Sequence, residues 1–217
     1  AGDIERETQG AARRGGGSMT GPQAPRVFHV MSKPTGAICN LDCDYCFFLS
    51  KESLYPGSEF RMPDDVLETY VAQLLAAHRG ADEVVVACQG GEPTLMGTDF
   101  FRRVVELERV HALPGQHVLN TVQTNATLVD DEMAAFFAEH GFLVGVSIDG
   151  PREMHDAYRV DKGGKPTYDR VIAGLRTLQK HGVEWNALTT INAANADHAL
   201  RPGMPVEVSI DGTARRP

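Results

Sequence analysis

The sequence predicts an α/β protein built on one parallel sheet, and three observations carry that prediction. Five short apolar runs lie between Arg26 and Ile191, an amphipathic helix pattern separates each run from the next, and the polar motifs fall just after the runs. Apolar strands joined by amphipathic helices form parallel pairs with right-handed crossovers. In such sheets the functional residues gather at the carboxyl ends of the strands.

Each element has a local cause. Arg26–Ser32 contains Val27, Phe28 and Val30 and reads as a first strand, closed by Pro34 and Gly36. Met62-Pro-Asp-Asp65 opens a helix with proline and acids in its first turn; Val66, Leu67, Tyr70, Val71, Leu74 and Leu75 then give one apolar face until Gly80. Glu83–Cys88 is a β-branched buried strand, interrupted by Gly90-Gly-Glu-Pro93. Thr98 or Asp99 is expected to cap a helix carrying Phe100, Phe101, Val104, Val105 and Leu107, and His117–Thr124 follows as the third strand. Asp130 and Asp131 start a helix with Met133, Phe136 and Phe137, ended by Gly141. Phe142–Ile148 is the fourth strand and Asp149-Gly-Pro151 a turn. Thr167 is expected to cap a helix bearing Val171, Ile172, Leu175 and Leu178, and Val183–Ile191 is the fifth strand.

Composition narrows the function classes. A chain of 217 residues suits one globular domain, and its 42% hydrophobic content supplies a core. The formal net charge of -8 argues against a general nucleic-acid binder. No apolar run approaches the ~20 residues needed to span a bilayer, and the start lacks the basic and apolar regions of a signal peptide. A cytoplasmic protein without a membrane or nucleic-acid partner is expected. Residues 1–24 read as a disordered leader, residues 25–195 as the core domain and residues 196–217 as an atypical tail. The histidines His78, His111, His140 and His181 sit near helix ends, where a surface imidazole facing the C-terminal dipole is the ordinary reading.

The chemistry concentrates in Cys39-Asn-Leu-Asp-Cys43-Asp-Tyr-Cys46. A structural zinc site is normally closed by four protein ligands, and ordinary iron–sulfur clusters also take four thiolates. Three thiols in one short loop leave a metal corner open to a ligand. A zinc loop closed by His29 or another residue is the alternative. Cys88 ends an apolar run and reads as a small buried hydrophobe. The cysteine loop, Gln89–Pro93, Thr124-Asn125 and Ser147–Pro151 all fall at strand ends on one predicted rim. Gly90 and Gly91 would let a ligand approach the backbone closely, although a plain turn explains them equally well.

Cysteines after the first strand, joined to Gly-Gly-Glu-Pro after the second, resemble the radical S-adenosylmethionine (SAM) enzymes from about Pro25 to Asn195. The resemblance implies a partial parallel (β/α) barrel with about five of its six βα units present. It implies that Cys39, Cys43 and Cys46 hold a [4Fe–4S] cluster whose fourth iron chelates SAM, and that the bound pair generates a 5′-deoxyadenosyl radical. It also implies that Tyr45, Gly90, Gly91, Glu92, Ser147 and Arg159 contact the cofactor, with Arg159 pairing with its carboxylate. Without the resemblance, Tyr45 is a packing aromatic, Arg159 a solvated charge and Asp149 a turn residue.

Cys46-Phe-Phe-Leu, Leu54-Tyr-Pro-Gly, Phe60-Arg-Met, Cys88-Gln-Gly-Gly-Glu-Pro-Thr-Leu, Gln123-Thr-Asn and Val146-Ser-Ile-Asp-Gly-Pro together resemble anaerobic sulfatase-maturating enzymes. That implies oxidation of a cysteine or serine to Cα-formylglycine in an unfolded sulfatase segment, with a low-potential donor such as ferredoxin or flavodoxin. Related peptide-modifying radical enzymes share most of these features. No cysteine follows Cys88, so the auxiliary-cluster ligands and the late acidic catalytic residue of that family are absent, and the sequence reads as truncated. The text from about Ala199 more closely resembles a barrel strand of membrane-fusion proteins, which suggests a gene fusion or frameshift there. A truncated remnant that binds cluster or SAM without turnover is the second reading.

Overall fold

The computed structural model describes residues 28–196. The expected leader, the start of the first strand at Arg26-Val27 and the tail from Asp197 onward lie outside the described residues. Five strands alternate with helices: β1 (Met31–Ser32), α1 (Asp64–Ala77), β2 (Glu83–Cys88), α2 (Thr98–His111), β3 (His117–Thr124), α3 (Asp131–Glu139), β4 (Leu143–Ser147), α4 (Arg152–Asp156), α5 (Tyr168–Lys180) and β5 (Glu184–Leu188). The strands stand in chain order in one open sheet, and every neighbouring pair is parallel. This is the parallel α/β architecture expected of a partial barrel.

The register sets the two faces of the sheet. Cys88 lies opposite Val122, Val122 opposite Val144, and Val144 opposite Trp185. Because strand side chains alternate, this row and its neighbours Val84, Val86 and Val146 join the helices in one buried cluster. Phe101 and Phe137 meet edge to face at its centre, with ring centroids 5.1 Å apart. On the other face the row Gln123, Gly145 and Asn186 is small or polar.

Several local expectations need correction. The first strand shrinks to two residues, with Phe28 and Val30 exposed. α2 is capped by Gly97 with no side-chain bond, and Thr98 and Asp99 lie inside its first turn. Thr167 occupies the N-cap position of α5, but its side chain makes no capping bond. Asp156 supplies the side-chain acceptor instead, receiving the backbone N–H groups of Thr167 and Tyr168 at 2.9 Å. This frees the Thr167 hydroxyl to donate to the Arg159 carbonyl at 2.6 Å. The short α4 was not anticipated. His78 is no surface imidazole: it is 1% exposed, its Nδ1 lies 2.8 Å from the Leu74 carbonyl, and its Nε2 lies 2.9 Å from the Phe28 carbonyl and 3.3 Å from the Phe28 backbone nitrogen. Its helix end is covered by the chain leading into β1, so it caps that end inside the protein.

One glycine is required by packing here. A Cβ on Gly174 of α5 would sit 1.9 Å from the Ala126 carbonyl oxygen. The helix therefore rests directly on the backbone that leaves β3, which fixes the height of that strand end.

Candidate metal and cofactor site

Cys39, Cys43 and Cys46 lie in the loop after β1, at the carboxyl end of the sheet. All are free thiols; Cys43 is buried and the other two are half-buried. Burial pushes the thiols of Cys39 and Cys43 up to about 11. Binding as thiolates must therefore expel protons, a cost that a metal offsets.

Three strand ends hold this loop in place. At the β2 end, Gly91 N–H donates to the Gly36 carbonyl and Glu92 N–H to the Ile38 carbonyl, both at 2.9 Å. At the β3 end, the Asn125 amide donates to Asn40 Oδ1 at 2.8 Å and faces Cys39 Sγ at 3.7 Å. At the β4 end, the Tyr45 hydroxyl donates to Asp149. Farther along, Asp42 N–H donates to the Val160 carbonyl at 2.8 Å and Asp44 N–H to the Tyr158 carbonyl at 3.0 Å. The predicted rim therefore exists, and its parts bond to one another.

The expected cofactor contacts fall into distinct groups. Gly90 has φ +122°, a conformation suited to glycine. The space beside Gly91 is filled by the chain itself, because a Cβ there would lie 1.9 Å from the Ile38 carbonyl oxygen. Glu92 is 1% exposed. Its Oε1 accepts from Thr94 N–H at 3.0 Å, the Thr94 hydroxyl at 2.7 Å and the Thr124 hydroxyl at 2.6 Å, and its Oε2 accepts from Asn125 N–H at 2.7 Å. Burial pushes this carboxyl up while those donors pull it down. Its side chain is committed to tying β2 to β3, so only the backbone of this turn is left to meet a ligand.

Arg159 is likewise engaged, not solvated. Its Nε donates to Asp149 Oδ2 at 2.8 Å and its Nη2 to Oδ1 at 3.1 Å. Burial would lower the Arg159 pKa, and the bonds to Asp149 more than offset that. Nη1 makes no hydrogen bond to another described residue, and the same is true of the Ser147 hydroxyl at the end of β4. These two groups remain open for a ligand. Asp149, read from sequence as equally good turn chemistry, is the hub of this side: Thr190 N–H also donates to its Oδ1, at 2.9 Å. Asn40, Thr127 and Asn195 join the rim networks too. The density of Thr and Asn after β3 and β5 is the available signal for Thr127 and Asn195.

The donors present in this loop, three thiols, are of the type that iron–sulfur clusters take. Among the described residues no group of three or more His, Cys, Asp and Glu converges to grip one metal ion. A cluster takes its thiolates at separate corners and needs them spread around it. Cys39, Cys43 and Cys46 supply three free thiols from one loop.

The chain belongs to the Radical SAM superfamily, which it matches over residues 34–200. It is 42% identical over 176 residues to the serine-type anaerobic sulfatase-maturating enzyme of Bacteroides thetaiotaomicron, covering 81% of this chain and 42% of that protein. To the cysteine-type enzyme of Clostridium perfringens it is 39% identical over 170 residues, covering 78% of this chain and 45% of that protein. Among solved structures it is similar to native anSMEcpe with bound AdoMet and the Kp18Cys peptide, with a TM-score of 0.71 and 38% identity, covering 78% of this chain and 45% of that one. The chain thus spans under half the length of the two sulfatase-maturating enzymes named here.

Among the described residues no helix is long and apolar enough to cross a membrane.

Proposed function

We propose that residues 25–195 form the cofactor-binding core of a radical SAM oxidoreductase of the sulfatase-maturating type. In this reading Cys39, Cys43 and Cys46 hold a [4Fe–4S] cluster. The backbone at Gly90, Gly91 and Glu92, the Ser147 hydroxyl, Arg159 and Tyr45 surround SAM. When bound, the cluster supplies the electron that cleaves SAM and yields a 5′-deoxyadenosyl radical. The substrate is a cysteine or serine in an unfolded sulfatase peptide, oxidised to Cα-formylglycine. The electron comes from a low-potential donor such as ferredoxin or flavodoxin. Such a donor and free thiols both suit the reducing cytoplasm.

The observation that carries this reading is the loop of three free thiols fixed by three separate strand ends. The protein's own contribution is positioning. Glu92 binds β2 to β3, Asn125 holds Cys39, and Asp149 holds Tyr45 and Arg159 against the β4 end. Preorganised groups of this kind lower the cost of orienting a reactant. Similarity to both serine-type and cysteine-type enzymes supports the peptide substrate class and leaves both residue types as candidates.

Anaerobic reconstitution with iron and sulfide, followed by dithionite and SAM, tests the proposal by chromatography of the products. The reading expects 5′-deoxyadenosine from the unaltered chain and none from Cys39→Ala, Cys43→Ala or Cys46→Ala. A cluster-loaded chain that leaves SAM intact would overturn the catalytic part.

A further inference from the structure

We propose that Asn125 is a positioning residue for Cys39, donating its amide N–H to the sulfur and so fixing both the place and the charge of one cluster ligand. The proposal rests on the cluster reading above and adds to it an asymmetry among the three ligands. Cys39 Sγ receives the Leu41 backbone N–H at 3.4 Å and faces the Asn125 amide at 3.7 Å. Among the described residues neither Cys43 nor Cys46 receives a donor at its sulfur.

The amide has no freedom to turn over. The backbone N–H of Thr127 can only donate, and it reaches Asn125 Oδ1 at 3.0 Å, joined there by the Thr127 hydroxyl at 2.7 Å. Nδ2 must then face Asn40 and Cys39. Asn40 in turn presents Oδ1 to Asn125 and donates its own Nδ2 to the Thr127 hydroxyl at 2.8 Å. Every donor in this ring has an acceptor, so the orientation follows from one backbone N–H. Glu92 completes the anchor, because its buried carboxylate holds the Asn125 backbone N–H at 2.7 Å. A line of hydrogen bonds therefore runs from the Gly-Gly-Glu-Pro turn through Asn125 to Cys39.

Partners that orient metal ligands commonly change metal affinity when removed, and hydrogen bonds to cluster sulfurs tune the reduction potential. A donated N–H withdraws charge from sulfur and makes the cluster easier to reduce. The test compares reconstituted full-length chain with Asn125→Ala and Asn125→Asp, by potentiometric titration followed by electron paramagnetic resonance and by iron release to a chelator. Asn125→Ala should show a more negative potential and lose iron about 10-fold faster. Asn125→Asp, close to the same shape, should be shifted further because it turns a donor into an acceptor beside sulfur. A purely steric role predicts the reverse order, with Asn125→Asp nearest the unaltered chain, and that order would overturn the proposal. So would potentials and iron release unchanged in both variants. Urea melts of the metal-free chains identify any variant that fails to fold, in which case Thr127→Val, which leaves the Asn125 side chain in place but removes one of its two holders, should give a smaller shift of the same sign; no shift counts against the proposal. If the unaltered chain takes up no cluster at all, the cluster reading itself has failed, independently of Asn125.

Discussion

The missing Cβ of Gly91 leaves room for the carbonyl oxygen of Ile38, which would otherwise sit 1.9 Å from it. The second glycine of the Gly-Gly-Glu-Pro turn is thus required by the cysteine loop itself, one residue before its first thiol. The two motifs on which the family resemblance turns are therefore in contact and hold each other in place. Gly91→Ala should force the loop away, at a cost of about 1–3 kcal/mol from overpacking. Urea denaturation of the metal-free chain reads the stability loss, and iron content after reconstitution reads the displaced thiols; both should fall.

Asp149 carries a comparable load on the opposite side. It pairs with Arg159 through two hydrogen bonds, and both side chains are at least nine-tenths buried. Removing one partner of such a pair leaves an uncompensated buried charge, worth about 3–5 kcal/mol. Asp149→Asn should therefore destabilise the chain by that order. Arg159→Lys should not restore stability, since an ammonium cannot reproduce the forked contact. Thermal or urea melts of the two variants check both statements.

A pH-dependent component lies away from the rim. Glu108 on α2 is buried, its Oε2 accepts from Asn120 Nδ2 at 3.0 Å, and its Oε1 has no hydrogen-bond partner among the described residues. Burial pushes its carboxyl from 4.5 up to about 7, against the smaller opposing pull of Asn120 and Arg109. Between those values the folded chain keeps a proton that the unfolded chain has released. Stability should therefore fall as pH rises from about 4.5 to about 7, by roughly 2–3 kcal/mol at about 1.4 kcal/mol per unit. Glu108→Gln should flatten that profile and be the more stable protein above pH 7, as measured by urea midpoints across the range.

Much of the fold was legible because its causes are local. Glu83–Cys88 and His117–Thr124 are strands with the predicted bounds, since β-branched runs flanked by glycine and turn residues leave little alternative. The cysteine loop and the Gly-Gly-Glu-Pro turn were likewise visible as text. What stayed hidden was long-range pairing. Asp149 looks like turn chemistry until Tyr45, 104 residues earlier, is seen to donate to it. His78 looks like a helix-end surface residue until Phe28, 50 residues away, covers it. Asp156 supplies the side-chain acceptor expected of Thr167 at the start of α5, because the intervening loop folds back. In each case the decisive partner lies outside any window in which periodicity or capping patterns operate.

The approach of α5 to the β3 end gives a further prediction. Gly174→Ala would place a Cβ 1.9 Å from the Ala126 carbonyl, just after Asn125. It should cost about 1–3 kcal/mol and should also disturb the Asn125 network. Amide hydrogen exchange around Asn125 to Thr127 should quicken in this variant more than exchange in α1.

The measurement that bears most directly on the whole account is the iron and sulfide content of the anaerobically reconstituted chain, read with its electron paramagnetic resonance spectrum after reduction. The account predicts about four irons and about four sulfides per chain, as a [4Fe–4S] cluster requires, lost in Cys39→Ala, Cys43→Ala and Cys46→Ala but retained in Cys88→Ala. Stoichiometric zinc with no cluster, or iron binding indifferent to those three thiols, would contradict it.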